Sequence, residues 1–139
     1  MKKLILIVVA FALLVLLDLG WFHFTSDFFK GQVSGIVQTN AAGGWSLNLG
    51  PAVLVYLLLA VGIITFVLPR APTVSTAAKY GALFGIVTYG VYDLTNLATL
   101  AAWTVPFVVV DMAWGTVLCA IVSAVLAWLS SFSAFARVT

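Results

Sequence analysis

The chain has no glutamate, one cysteine, one histidine, and charged residues at only 7% of its 139 positions. Each shortage excludes something. The single Cys119 rules out an internal disulfide and any cysteine-rich metal centre. Six scattered basic residues form no stripe that could follow a phosphate backbone, so no nucleic-acid partner is expected. His23 stands alone and cannot ligate a haem from both sides within one chain. No phosphate-binding loop, nucleophile motif or metal signature is present. Any cofactor therefore stays unspecified, and no metal site is expected.

What the chain has is apolar surface. Hydrophobic residues make up 64% of it and its mean hydropathy is +1.22, well above the balance of a soluble domain. Four long apolar runs stand out at about 4–24, 51–68, 80–102 and 106–130, each close to the ~20 residues that cross ~30 Å of hydrocarbon as a helix. Pro51 and Pro106 fall at first-turn positions and Pro69 and Pro72 follow the second run, so all four prolines sit at run edges. The expected fold is an all-α membrane protein, a single four-helix transmembrane domain spanning 1–139.

Lys2, Lys3, Arg70, Lys79 and Arg137 flank one side of such a bundle and Lys30 alone flanks the other. By the positive-inside rule both termini and the 69–79 connection face the cytoplasm, which suits a bacterial inner membrane protein. Trp21, Trp45 and Trp103 then fall near the outer interface and Trp128 near the inner one. "MKKLILIVVAFALLVLL" has the basic start and apolar stretch of a signal peptide, but the bulky "DLGWFHF" follows in place of a small-residue cleavage site. A retained first span is the reading. In the outer connection, "SDFFKGQVSGIVQ" sets Phe28, Phe29, Val33, Ile36 and Val37 on one face, which predicts a short interfacial helix. The Gly/Asn-rich "TNAAGGWSLNLG" reads as a mobile loop.

The four acids are Asp18, Asp27, Asp93 and Asp111. Asp27 falls in the outer connection, where water satisfies it. The other three lie inside apolar runs. Asp93 is ~13 Å below the outer end of the third run and Asp111 ~8 Å into the fourth, at ~1.5 Å per residue. Asp18 is about a turn inside the first. All three therefore fall in the outer half of a bilayer, where one pocket could hold them. An ionisable group near the centre of a spanning helix costs roughly 2.5–3.5 kcal/mol, less toward the interface. No Lys or Arg inside a run offsets that cost. The acids must be protonated, hydrogen-bonded to neutral donors, or bound to something brought from outside.

Neutral donors occur at helical spacing. Tyr89, Asp93 and Asn96 share one face, with Tyr92, Asn96 and Thr99 beside it. Asp18 and Trp21, like Asp111 and Trp114, are three apart, and Tyr56 enters from the second run. The candidate ligand-binding set is thus Asp18, Trp21, Tyr56, Tyr89, Tyr92, Asp93, Asn96, Asp111 and Trp114. A purely structural role competes with it, because polar contacts also hold spans together. Gly81 and Gly85 form a small-xxx-small pattern for close helix approach, whereas Gly62 stands alone. Cys119 reads as an inert small hydrophobe.

"GALFGIVTYGVYDLTNLATL", "VVDMAWGTVL", "LLDLGWF" and "VYLLLAVGIITFVLPRA" together resemble the bacterial membrane-protein family known as domain of unknown function 2177 (DUF2177). The resemblance covers nearly the whole chain apart from the 38–49 loop. It implies four spans and a bacterial inner membrane, and it attaches no activity. Carried over, its signature positions are Asp18, Trp21, Tyr56, Tyr89, Tyr92, Asp93, Thr95, Asn96, Asp111, Trp114, Gly115 and Thr116.

Three functions compete. The first is an outer-leaflet acidic and aromatic pocket that binds a small amphiphile, lipid or isoprenoid; a general-acid Asp could add chemistry, so whether the chain is an enzyme stays open. The second is cation or proton handling by an oxygen-only set that includes Thr95 and Asn96. The third is an accessory subunit of a larger membrane complex. Membrane lipid is the expected partner, with assembly as a homo-oligomer or within a larger complex left open.

Overall fold

Uninterrupted apolar sequence that must satisfy its own backbone leaves helix as the available structure, and helix is what forms. The computed structural model describes residues 2–33, 35–42 and 44–131. Four long helices run through it: α1 (Lys2–Val33), α2 (Leu49–Gly62), α3 (Val74–Thr99) and α4 (Val105–Ser131). Among the described residues there is no strand, only an isolated bridge between Thr39 and Trp45.

Pro69 shapes the end of the second helix. It has no N–H to offer the carbonyl of Thr65, and its ring crowds that carbonyl. The helix responds by widening to a π-helical turn at Ile63–Val67, where the Leu68 N–H reaches back to the Ile63 carbonyl, and then tightening to a 3-10 turn at Leu68–Arg70. Arg70 caps this end by donating from Nη1 to the Phe66 carbonyl at 2.9 Å. Thr73 then caps α3, its hydroxyl accepting from the Thr76 N–H at 3.1 Å. The 69–79 connection is consequently almost all helix.

Each helix runs antiparallel to the neighbours it touches. Asp18 of α1 meets Tyr56 of α2 and Trp114 of α4. Gly62 of α2 lies against Phe84 of α3, and Gly85 of α3 lies on Gly115 of α4. The four helices thus close a ring. Lys2, Lys3, Arg70 and Lys79 lie toward one end of it and Lys30 toward the other; Arg137 lies outside the described residues.

α1 buries Leu6, Ala10, Leu14 and Asp18 at four-residue spacing, so an acid completes its core stripe. Against that stripe pack Ala60, Ile63, Leu118, Cys119, Val122 and Leu126. The α3–α4 contact is set by small residues. A Cβ on Gly85 would meet the Gly115 carbonyl oxygen at 2.4 Å and Thr116 Cα at 2.9 Å, and one on Gly81 would meet the Cys119 carbonyl oxygen at 2.5 Å. The small-xxx-small reading therefore holds, with Gly115 and Cys119 as the facing residues. Gly62 does not stand alone: a Cβ there would meet Phe84 Cζ at 2.4 Å.

Many large apolar side chains point outward, among them Leu4, Val8, Leu16, Leu54, Leu58, Val91 and Val109. That much exposed hydrocarbon suits lipid and not water. Three helices are long and apolar enough to cross a membrane, α1, α2 with its continuation to Arg70, and α4. α3 has the length, with 26 residues, but carries Thr88, Tyr89, Tyr92, Asp93, Thr95 and Asn96 and is less apolar.

One expectation is corrected. No separate interfacial helix follows the first span; α1 continues unbroken to Val33, because "TSDFFKGQV" contains no proline and its apolar face finds protein to pack on. Phe29 and Val33 are buried against Phe107 of α4 and do not face lipid. The Gly/Asn-rich loop has defined hydrogen bonds. Asn40 Oδ1 accepts from the Ala42 and Gly44 N–H groups at 3.0 and 2.9 Å, and the Ser46 N–H donates to the Gln38 carbonyl at 2.8 Å.

Candidate functional site

Three of the four acids lie inside the ring, and the structure treats them differently. Asp27 is solvated and pairs loosely with Lys30 at 3.6 Å. Asp18, on the core stripe of α1, is fully provided for. The Tyr56 hydroxyl donates to its Oδ2, and Trp114 Nε1 donates to its Oδ1 at 2.7 Å. Trp21 stacks on Trp114 with centroids 4.5 Å apart and planes at 5°, and Phe11 meets the Tyr56 ring edge-on at 6.4 Å. Tyr89 fills the space over Gly115, where a Cβ would come within 2.2 Å of its ring. From there Tyr89 lies within electrostatic reach of Asp18 and Asp111. Asp18, Trp21, Tyr56, Tyr89 and Trp114 are therefore brought together as a packed network across α1, α2, α3 and α4.

Asp93 is the opposite case. It has no exposed surface, yet neither carboxyl oxygen has a hydrogen-bond partner. Its interacting polar neighbours are Trp103 and Asp111. The Trp103 N–H is likewise buried without a well-formed hydrogen bond, and it stands close enough to the Asp93 carboxyl to interact with it. Asp111 lies within electrostatic reach of both Asp93 and Asp18. Tyr56 is committed to Asp18, because α2 packs along α1 while α3 meets chiefly the π-helical continuation of α2. Depth estimated along separate helices fixes height in a bilayer but not angular position around the ring.

Beside Asp93 opens an aromatic cleft of about 500 Å³, lined by Phe22, Phe29, Val33, Ile36, Val37, Trp45, Tyr92, Asn96, Leu100, Trp103 and Phe107. Its walls come from the last turns of α1, the 35–48 loop and the α3–α4 connection. Trp103 contacts Tyr92 edge-on at 5.7 Å and Phe107 at 4.5 Å, and Phe107 meets Phe29 at 5.0 Å. The connection is anchored by Thr104. Its hydroxyl accepts from the Phe107 N–H at 3.3 Å and donates to Gln32 Oε1 at 2.5 Å, tying α4 to the end of α1.

Of the nine residues expected around one pocket, Tyr92 and Asn96 line this cleft and Asp93 lies behind it. Sequence reasoning took Trp103 for an interfacial anchor and did not include Phe29, Trp45 or Phe107. Their signal was present: Trp103 and Phe107 are aromatics on either side of the start of α4, and Phe29 lies on the apolar face ending α1. A second opening, a shallow groove of about 590 Å³, runs along α3 from Ile86 to Thr99 and has an apolar lining with Met112 beside it. Among the described residues, no three His, Cys, Asp or Glu side chains gather closely enough to hold a metal ion.

The family described as "Predicted membrane protein (DUF2177)" matches residues 3–129. No curated protein and no solved structure matches the chain.

Proposed function

This chain belongs to the DUF2177 family of membrane proteins, and on that premise we propose a four-span protein whose aromatic cleft binds one small amphiphile, a lipid or isoprenoid, from the outer leaflet. α3 serves as the fourth span. Its 26 residues rise about 39 Å as a helix, and its polar groups are relieved locally. The Thr88 and Thr99 hydroxyls return to carbonyls of their own helix at 2.9 and 2.8 Å, and Asp93 is turned inward. The basic residues toward the α1 N-terminal end set that end in the cytoplasm, in a bacterial inner membrane. The cleft then opens at the outer interface.

The observation that carries the reading is an apolar aromatic cavity whose wall includes Trp103, with its buried indole N–H, while the buried Asp93 that interacts with Trp103 lies next to that wall. Ligand sites of several hundred Å³ are typically built this way, apolar with a few convergent polar groups. One detail weighs against the ion-handling alternative: Asp18 has given both oxygens to Tyr56 and Trp114.

Native mass spectrometry of protein extracted in mild detergent tests the reading. The expected result is one retained amphiphile per chain, lost in Leu100→Trp, which fills the cleft from an exposed position. A co-purifying subunit with no small-molecule adduct would overturn it in favour of an accessory role.

A further inference from the structure

Asp93 and Asp111 interact with each other, and among the described residues the Lys and Arg sit toward the helix ends, with Lys30 on Asp27. Asp18 differs only in having two donors already in place. Neither Asp93 oxygen is met by a well-formed hydrogen bond, although Trp103 and Asp111 stand close enough to interact with it, and none of the described Lys and Arg side chains pairs with these two acids. Aromatic walls add a preference of their own, since Trp103 and Tyr92 offer ring faces and edges that attract a cation.

Resting on the amphiphile reading, we propose that the ligand of the cleft carries a primary ammonium head, which enters past Trp103 and donates to Asp93 and Asp111 while its apolar tail lies along Phe29, Phe107 and Trp45. A primary ammonium has three donors and one charge, so it can satisfy both Asp93 oxygens and still reach Asp111. A quaternary ammonium matches the charge but has no N–H, and an alcohol has one donor and no charge. An anionic phosphate or sulfate head with no ammonium is repelled by two acids. Trp103 lines the cleft and interacts with Asp93, so a head that reaches the carboxyl displaces the Trp103 side chain, a common adjustment on binding.

The test is a titration of the purified full chain in nonionic detergent. The probes are n-dodecylamine, n-dodecyltrimethylammonium and n-dodecanol, followed by tryptophan fluorescence and native mass spectrometry. Dodecylamine is expected to bind at least ~10-fold more tightly than either other probe, about 1.4 kcal/mol. That selectivity should collapse in Asp93→Asn and, as a second variant, in Asp111→Asn, each checked for folding by size exclusion. A parallel pair, phosphatidylethanolamine and phosphatidylcholine with identical acyl chains, separates the sources. Preference for phosphatidylethanolamine identifies a lipid headgroup; preference confined to dodecylamine identifies a free amphiphilic amine. Equal binding of the three dodecyl probes, or selectivity that survives both variants, overturns the ammonium head and leaves the amphiphile reading standing. Failure of all probes to bind, with no effect of Leu100→Trp, overturns both.

Discussion

Trp114 stacks on Trp21 with the two ring planes 5° from parallel, and from that position its indole N–H reaches Asp18 at 2.7 Å. One ring thereby joins α1 to α4 twice, by its face and by its edge. With the Tyr56 hydroxyl on the other carboxyl oxygen, a single buried acid is held from α2 and α4 at once. Asp18 is best understood as a fastener of the bundle. Asp93 has no comparable support, and the difference between them generates testable contrasts.

Removing Asp18 strands two donors, whereas removing either donor strands one oxygen. Asp18→Ala should therefore cost more than Tyr56→Phe or Trp114→Phe, with each unsatisfied buried group worth about 1–3 kcal/mol. Thermal unfolding in detergent would rank the three. A double-mutant cycle of Asp18→Ala with Tyr56→Phe should be clearly non-additive; additive losses would show that the contact carries no coupling.

Asp93 should respond in the opposite sense. Because its oxygens meet no well-formed hydrogen bond, Asp93→Leu removes a buried polar group without stranding a hydrogen-bonded one. In ligand-free detergent, Asp93→Asn and Asp93→Leu should unfold at or above the native temperature. A marked drop in Asp93→Leu would mean that the carboxyl is part of the bundle's internal bonding after all.

Glycine substitutions should separate backbone contact from side-chain contact. In Gly85→Ala the new methyl meets the Gly115 carbonyl and Thr116 Cα, so α3 and α4 must move apart. In Gly62→Ala it meets only the far edge of the Phe84 ring, which can turn aside. The yield of folded protein after size exclusion should fall sharply for Gly85→Ala and modestly for Gly62→Ala. Comparable losses would contradict this reading of the α3–α4 contact.

Orientation is open to chemical labelling. In a Cys119→Ser background, a cysteine at Gln38 should react with a membrane-impermeant maleimide on intact cells, and one at Ser75, at the start of α3, should not. The reverse pattern would place the cleft on the cytoplasmic side.

The sequence by itself determined the helical class, the apolar runs and the positions of their breaks. Those properties follow from local rules: hydrocarbon forces backbone groups to bond within the segment, and proline interrupts that bonding wherever it stands. It also exposed the three acids as anomalies and named the Gly81–Gly85 face, because charge cost and side-chain volume are attributes of single residues. The extent of α1 was not legible in the same way. Whether "TSDFFKGQV" left the first span or extended it depended on Phe107 and Trp103, more than seventy positions away, offering Phe29 and Val33 a surface. Tertiary structure alone decided which donors served which acid. Tyr56 stands at a depth that suits either Asp18 or Asp93, and only the packing of α2 along α1 assigns it to Asp18. That packing left Asp93 with Trp103 and Asp111 as its polar neighbours, next to an aromatic cleft. Helical periodicity gives height and face along one helix, while partnership is an angular relation among four helices and exists only once they have packed.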